Sequence, residues 1–270
     1  MTHPKISIII PSFNQGQFIE RTLLSILKQD YDGEVEIVVS DGGSKDNTVE
    51  VLKRYPMIKW WSEPDNGFAD AVNKGLSASS GEIIGIQSSD DYYLQGAFSS
   101  AVSFLLKNPE YGLVCGNDVF AAPDMSHFSF PPICFHDVNP RNSLTFRTIP
   151  QHCAFVWRKY IDKVGGLRNL SDGKIDHLAD TDLWYRILHL TKGKFLKRYF
   201  GVYQFHNSQR AQTMEKDRCV IFSRMIESCE SQPQYGIAMF SSDEKELLYA
   251  LYRSRITLNN GGLRELWLKC

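Results

Sequence analysis

The sequence lacks several features that would assign it to a functional class directly. Its 30 basic and 31 acidic residues leave a formal net charge of −1, which argues against a dedicated nucleic-acid binder. No apolar run approaches the roughly 18–20 residues that span a bilayer. The first residues also lack the charged and apolar regions of a signal peptide. We therefore expect a cytoplasmic protein that binds no nucleic acid.

Motifs of several enzyme classes are missing as well. The six cysteines form no C-x-x-C pair, so the sequence indicates neither a zinc site nor a redox motif. The turn at residues 11–16 lacks the G-x-G-x-x-G of a nicotinamide-dependent dehydrogenase. A nucleotidyltransferase would carry a Gly-rich basic loop near the N-terminus, and none is present. Both classes are therefore disfavoured.

The sequence does contain a regular alternation of strand and helix patterns. Predicted strands and helices alternate over residues 5–120, beginning with the β-branched strand Lys5–Ile10 and the helix Gln17–Gln29. Ser44 is predicted to cap the helix that follows the second strand. Such an order predicts an α/β fold with a mostly parallel sheet and helices on both faces. The Pro-rich residues 121–150 are predicted to form an irregular loop.

Polar clusters follow three of the predicted strands. They comprise Pro11–Asn14, Asp41–Ser44 and Ser88–Asp91. Each cluster taken alone fits an ordinary solvated loop. Because ligands of parallel sheets bind at the carboxyl ends of the strands, the three clusters together predict a binding site.

The acidic residues in these clusters indicate two kinds of chemistry. Asp90 and Asp91 are adjacent carboxylates in the loop after a buried strand, where a divalent cation or a helix N-terminus could stabilise them. Asp41 could accept a hydrogen bond from the ring N–H of a base, or could simply form a turn. Gly42 and Gly43 beside it would let a ligand approach the backbone.

Further candidates lie in the second half of the chain. Asp180 and Asp182 begin a helix and point in different directions, so one could be a general base and the other a cap or ion-pair partner of Arg186. His206 and Arg210 follow Phe195–Phe205, which is predicted to be a strand or hairpin, and could meet a metal or a diphosphate, or could lie on the surface.

In order and spacing, these residues resemble inverting family 2 glycosyltransferases of the GT-A fold. The resemblance extends from about residue 5 to residue 210 and leaves out the last segment. Ser88 stands where the D-x-D motif of this family usually has its first aspartate. The matching strings are Ser7–Asn14, Ser40–Thr48, Ser62–Gly67, Asp70–Gly75, Gly81–Gly85, Ser88–Asp91, Gln151, Phe155–Lys159 and Asp180–Arg186.

The resemblance implies a metal-dependent transfer of a sugar from a nucleotide diphosphate sugar, with UDP-sugars favoured. It implies Mn²⁺ or Mg²⁺ as cofactor and a saccharide or lipid-linked acceptor, as in bacterial polysaccharide, O-antigen, capsule or glycolipid synthesis. Asp180 would be the general base, and the metal ligands would be Asp90, Asp91 and His206. The implied donor-binding residues are Pro11, Ser12, Phe13, Asn14, Asp41, Asp70, Asn73, Lys74, Ser89, Asp90 and Arg210. A catalytically impaired nucleotide-sugar-binding module is the alternative.

The charge balance divides the chain unequally. Residues 1–182 hold 16 basic and 23 acidic residues, whereas residues 183–270 hold 14 and 8. We expect a GT-A domain over residues 1–213, with a nucleotide-sugar half at 1–120 and an acceptor half at 121–213. Residues 214–270 are expected to form a helical extension. Basic residues alternating with apolar ones there fit contact with an anionic membrane surface, or packing on the core or in a homodimer.

Overall fold

The computed structural model describes residues 3–122, 124–140, 143, 149–169 and 178–206. Within these residues, no helix is long and apolar enough to cross a membrane. The predicted extension at 214–270 and the predicted site residue Arg210 lie outside the described residues.

The described part is an α/β fold of ten strands and six main helices. The strands are β1 (Ile6–Ser12), β2 (Val35–Asp41), β3 (Lys59–Ser62), β4 (Ile83–Ile86), β5 (Tyr92–Tyr93), β6 (Tyr111–Ala121), β7 (Phe128–Ser129), β8 (Asp137–Val138), β9 (Ala154–Trp157) and β10 (Lys192–Gln204). The helices are α1 (Ile19–Leu27), α2 (Thr48–Leu52), α3 (Phe68–Ser77), α4 (Ala97–Lys107), α5 (Arg158–Val164) and α6 (Ala179–Leu188).

One sheet contains all ten strands, in the order β3-β2-β1-β4-β9-β6-β10-β5, with β7 paired to β6 and β8 paired to β10. The pairs β3–β2, β2–β1, β1–β4 and β6–β10 are parallel. Strand β9 is antiparallel to both β4 and β6, so six strands of the sheet run in one direction. The mostly parallel sheet predicted from the sequence is confirmed.

Helices cover both faces of the sheet, which is why the central strands are apolar on both sides. On one face, α3, α5 and α6 pack against side chains such as Ile9 and Ile84. On the other face, α1, α2 and α4 pack against side chains such as Ile8 and Ile10. Both layers are fully buried at these positions, which fixes the strand ends relative to one another.

The predicted order of elements holds, with differences in the second half. Strand β9 was not predicted, because its four residues follow a Pro-rich stretch and give no clear alternation. Residues 121–150 are irregular for much of their described length, but they also contain the two-residue strands β7 and β8. Pairing with long neighbouring strands makes such short segments extended, and no local sequence pattern reports that pairing.

Candidate active site

The site is formed where the six strands of common direction end. Strands β1, β2 and β4 end at Ser12, Asp41 and Ile86, and β10 ends at Gln204. The loops that follow these strands therefore lie along one edge of the sheet. This arrangement brings together the three polar clusters predicted from the sequence and adds the end of β10.

Asp41 is the most buried carboxylate of the first two loops, with 1% of its surface exposed. The N–H of Ser44 donates to its Oδ2 at 2.9 Å, and the Ser44 hydroxyl donates to Oδ1 at 2.5 Å. The hydroxyl of Ser62, at the end of β3, donates to Oδ2 at 2.6 Å. Asp41 therefore joins the loops after β2 and β3.

The loop after β1 is fixed against the loop after β2. Asn14 has a left-handed φ of 54°. Its N–H donates to the Ser44 hydroxyl at 2.7 Å, while its side-chain oxygen accepts the N–H of Lys45 at 2.8 Å. The prediction that Ser44 caps α2 is wrong, because Ser44 bridges Asn14 and Asp41. Asp46 instead accepts the Thr48 N–H at the start of that helix.

The other predicted residues of the β1 loop differ in exposure. Pro11 is half-buried, and Phe13 is 44% exposed at the edge of the site. Ser12 is 4% exposed, and its hydroxyl has no hydrogen-bond partner among the residues that the structure describes. A buried hydroxyl without a protein partner is expected to hydrogen-bond to water or to a ligand.

Lys74 and Asp70, on α3, form a small charged network with the loop before the helix. The Lys74 ammonium lies 3.2 Å from Glu63 and 3.4 Å from Asp70. The N–H of Asn66 donates to Asp70 at 2.9 Å. This backbone hydrogen bond is the main reason that the pKa of Asp70 lies below its ordinary value, and burial opposes the shift. Asp70 therefore carries a negative charge at neutral pH.

Asn73, also on α3, interacts with the segment after α5. Its Nδ2 donates to the carbonyl of Leu167, and its Oδ1 accepts the Leu167 N–H, both at 2.9 Å. Both ends of the amide thus bind backbone of this chain. The sequence placed Asn73 in the donor pocket, and that role stays a prediction.

Asp90 and His206 form the central pair of the site. The imidazole Nε2 of His206 lies 2.8 Å from Oδ2 of Asp90, across 116 residues of sequence. The ring stacks on Phe18, with 4.4 Å between ring centroids and 28° between planes. Asp90 is 16% exposed and His206 8% exposed at the side chain, so the pair is largely shielded from solvent.

Asp91 and Ser89 are turned into the protein. Asp91 is 1% exposed, and its Oδ1 accepts the backbone N–H of Gln204 at 3.0 Å. Burial is the main cause that raises the pKa of Asp91 well above its ordinary value, and the charge of Asp90 adds to it. Ser89 is 5% exposed, and its carbonyl accepts the hydroxyl of Thr22 at 2.9 Å.

The metal set of Asp90, Asp91 and His206 stays a prediction. In the described ranges, no group of three or more His, Cys, Asp or Glu side chains is arranged to hold a metal. The structure brings together Asp90 and His206, whereas Asp91 binds the end of β10.

The two aspartates of α6 have different surroundings, as their positions on a helix predict. Asp182 is fully buried and binds the guanidinium of Arg186 at 2.8 Å. Arg168 also pairs with it, through its Nε at 3.0 Å. Asp180 is half-buried, and its Oδ1 accepts the N–H of Thr181 at 2.7 Å. The sequence left open which of the two pairs with Arg186, and the structure assigns that pairing to Asp182.

Sequence reasoning missed three contacts of the site: Arg168 with Asp182, Asp91 with the backbone of Gln204, and Phe18 with His206. The spacing of Asp182 and Arg186 signalled their pairing. No comparable signal exists for the three missed contacts, because each joins residues that only the tertiary fold brings together.

Comparison with known proteins now places this arrangement in a family. The family model described as "Glycosyl transferase family 2" matches residues 7–165, which is more than half of the chain. The chain belongs to glycosyl transferase family 2. This is the family that the resemblance of its motifs implied.

Among curated proteins, the chain is similar to a chondroitin synthase of Pasteurella multocida (strain Pm70). The two are 26% identical over 235 residues, which cover 83% of this chain and 23% of that protein. The chain therefore spans less than a quarter of this relative's length.

Solved structures of low sequence identity share the fold. The structure of S. aureus TarS 1–349 in complex with UDP-GlcNAc has a TM-score of 0.69 at 16% identity and covers 93% of this chain and 72% of that one. The mannosyltransferase PcManGT from Pyrobaculum calidifontis, in complex with GDP-Man and Mn²⁺, has a TM-score of 0.64 at 18% identity, with 93% and 69% covered. The predicted GT-A fold is confirmed.

Proposed function

We propose that this glycosyltransferase transfers a sugar from a nucleotide diphosphate sugar to an acceptor hydroxyl, in one displacement that inverts the anomeric carbon. The Asp90–His206 pair, at the sheet edge where Asp41 also lies, is the observation that carries the proposal. Ligands of open α/β sheets bind at this edge.

The nucleoside would bind to the loops after β1 and β2, between Pro11–Asn14 and Asp41. The buried hydroxyl of Ser12 offers it a polar contact, and the exposed ring of Phe13 offers an apolar one. The complexes of TarS with UDP-GlcNAc and of PcManGT with GDP-Man support a nucleotide sugar as donor. We favour a UDP-sugar, which Asp70, Asn73, Lys74, Ser89 and Arg210 would help to bind.

A divalent cation fits the donor atoms at Asp90 and His206. A carboxylate oxygen and an imidazole nitrogen suit Mn²⁺, and Mg²⁺ prefers oxygen ligands that include substrate phosphates. Asp90 and His206 would hold the cation, and the donor diphosphate would supply further oxygen ligands. When bound, the cation would neutralise charge that develops on the leaving diphosphate. Mn²⁺ in the PcManGT complex supports this assignment.

Asp180 would accept the proton of the acceptor hydroxyl as the acceptor oxygen attacks the anomeric carbon. The Thr181 N–H fixes one carboxylate oxygen, which orients the group in the first turn of α6. The Asp182–Arg186 pair anchors the same helix in the core, because the Arg186 guanidinium also donates to the carbonyls of Val164 and Gly166.

The acceptor is a saccharide or a lipid-linked saccharide in this proposal. Similarity to a chondroitin synthase supports a role in polysaccharide synthesis, and bacterial O-antigen, capsule or glycolipid assembly would use the same reaction. To reach a lipid-linked acceptor, this protein would act in the cytoplasm at the inner face of the membrane.

A thermal-shift screen of nucleotide diphosphate sugars with and without Mn²⁺ tests the proposal. A ligand at about 100 times its Kd stabilises the folded state by about 2.7 kcal/mol, which the melting temperature reports. We expect a shift with a UDP-sugar that requires the cation. No shift with any nucleotide sugar would contradict the proposal.

A donor-binding module without catalysis is the second candidate, favoured by Ser88 in the D-x-D position. This module would bind a UDP-sugar in the screen but release no UDP with any acceptor, whereas the enzyme would release UDP.

A further inference from the structure

The end of β10 contacts both adjacent acids of the β4–β5 loop. Gln204 donates its backbone N–H to Asp91 at 3.0 Å, and two residues later His206 meets Asp90 at 2.8 Å. The second oxygen of Asp91 lies 3.7 Å from the Nδ1 of His152, itself buried. The side chain of Asp91 therefore faces the interior, where its contacts hold the end of β10.

Helix α1 supports the same loop from the other side. The hydroxyl of Thr22, a residue with 1% exposure, lies 2.9 Å from the carbonyl of Ser89 and 2.6 Å from that of Asp91. Arg21, its neighbour, hydrogen-bonds the side chain of Gln204. The loop and the strand end are thus held by one helix and by each other.

We propose that Asp91 is a positioning residue that fixes the end of β10, and so holds His206 against Asp90, rather than a ligand of the cation. The inference rests on the proposed function, because it concerns how the Asp90–His206 pair is formed. Its physical basis is that the backbone N–H of Gln204, two residues before His206, donates to Asp91 and so limits where the imidazole can lie.

The two roles of Asp91 make different demands on its side chain. Positioning needs an acceptor for the Gln204 N–H, which an asparagine oxygen can supply. Cation ligation is much stronger with the negative carboxylate than with the neutral carbonyl oxygen that asparagine offers. Asp91→Asn therefore separates the roles, and Asp90→Asn is the matched control in which the proposed ligand itself is changed.

Calorimetry of UDP binding with Mn²⁺ and with EDTA gives the first measurement. We expect Asp91→Asn to keep Mn²⁺-dependent affinity within about threefold, since the acceptor is retained. Asp91→Ala should lose about tenfold or more, as removal of groups that orient metal ligands does. Affinity in EDTA should not change. Equal losses in Asp91→Asn and Asp90→Asn would overturn the proposal.

Hydrogen exchange of the Gln204 amide, measured without metal or nucleotide, gives a second and independent measurement. Asp91→Ala should accelerate this exchange about tenfold, with rescue by Asp91→Asn, because one hydrogen bond of about 1.4 kcal/mol corresponds to that factor. Unchanged exchange in Asp91→Ala would overturn the proposal. If wild type shows no Mn²⁺-dependent UDP binding, the proposed function fails and this measurement still decides the role of Asp91.

Thr22→Val serves if Asp91→Ala does not fold. The substitution removes the hydroxyl beneath the loop at nearly constant volume. The positioning role is supported if Thr22→Val lowers the Mn²⁺-dependent affinity for UDP by about threefold or more while Asp91→Asn keeps the wild-type affinity. A loss in Asp91→Asn that matches Asp90→Asn overturns it here as well.

Discussion

At the scale of single residues, Asp180 and Asp182 show how one side-chain type can serve two purposes. Asp182 is fully buried with Arg186 and Arg168, and removal of such a partner leaves an uncompensated buried charge. Asp180 is half-buried on the first turn of the same helix, where its Oδ1 accepts the Thr181 N–H. Because it is the more exposed of the two carboxylates, Asp180 is the one that we propose for proton transfer.

Substitution of Asp180 by asparagine tests its role as the base. The amide oxygen can still accept the Thr181 N–H, so we expect the fold to persist. The variant cannot accept the acceptor's proton, and kcat should fall by about 10²–10⁴-fold. Donor affinity, measured by calorimetry, should be unchanged. Asp162→Asn, at an exposed position of α5, is the control. Near-wild-type turnover of Asp180→Asn would exclude the role.

At the scale of elements, Glu36 ties β2 to β1 and to the loop before β4. It accepts the Ser7 hydroxyl at 2.5 Å and the Ser80 N–H at 2.8 Å. Burial raises the pKa of Glu36, but these hydrogen bonds and the charge of Lys5 outweigh it and hold the pKa below 4.5. The resulting stabilisation is present above the unfolded-state pKa and is lost as pH falls through the folded-state value.

Glu36→Gln should therefore lower the free energy of unfolding by about 1–2 kcal/mol at pH 7, as loss of a hydrogen-bonded charge does. The difference from wild type should shrink as pH falls below about 4.5. Urea unfolding at pH 7 and pH 4 measures it. Glu34→Gln is the control, because Glu34 pairs with the same Lys5 at 2.7 Å but is 69% exposed. A difference for Glu36→Gln that grows toward low pH would contradict the account.

Helix α3 packs on β1 at Gly75 with no room for a side chain. A Cβ there would lie 2.4 Å from the Cγ2 of Ile9. Gly75→Ala should destabilise the fold by about 1–2 kcal/mol, since overpacking exceeds the gain in helix propensity. Thermal unfolding measures it, with Ser77→Ala at an exposed position of the helix as control. A higher melting temperature for Gly75→Ala would show that α3 can shift away.

The elements also show how far the sequence could predict the structure. Strand β1 (Ile6–Ser12) and helix α1 (Ile19–Leu27) lie close to the predicted Lys5–Ile10 and Gln17–Gln29, because local apolar patterns determine both. Strand β9 was missed, since its extended form depends on β4 and β6 beside it. The site followed the same rule: the loops were predicted, but the contacts between Phe18 and His206 depend on tertiary packing.

At the scale of the whole molecule, the charge is divided between an acidic first part and a basic second part. Residues 1–182 carry 23 acids against 16 basic residues, and residues 183–270 carry 14 basic residues against 8 acids. The acidic part contains the carboxylates proposed to bind the cation and accept the proton. A basic part at neutral pH is attracted to an anionic surface, and salt screens that attraction.

We expect the full chain to sediment with vesicles that contain phosphatidylserine but not with phosphatidylcholine vesicles. Binding should weaken strongly between 50 and 500 mM salt, as the Debye length falls from about 14 to 4 Å. Size-exclusion chromatography with light scattering tests the homodimer alternative in parallel. Equal sedimentation with both vesicle types at every salt concentration would reject an electrostatic contact with the membrane.

The central claim is that Asp90, paired with His206, holds the cation that binds the donor diphosphate. Calorimetry of UDP with wild type and Asp90→Asn, each with Mn²⁺ and with EDTA, tests it most directly. Asp137→Asn is the control, because Asp137 pairs with Lys194 near the start of β10, away from the site. We expect Mn²⁺-dependent affinity for UDP in wild type and Asp137→Asn and its loss in Asp90→Asn. Equal Mn²⁺-dependent affinity in all three proteins would contradict it.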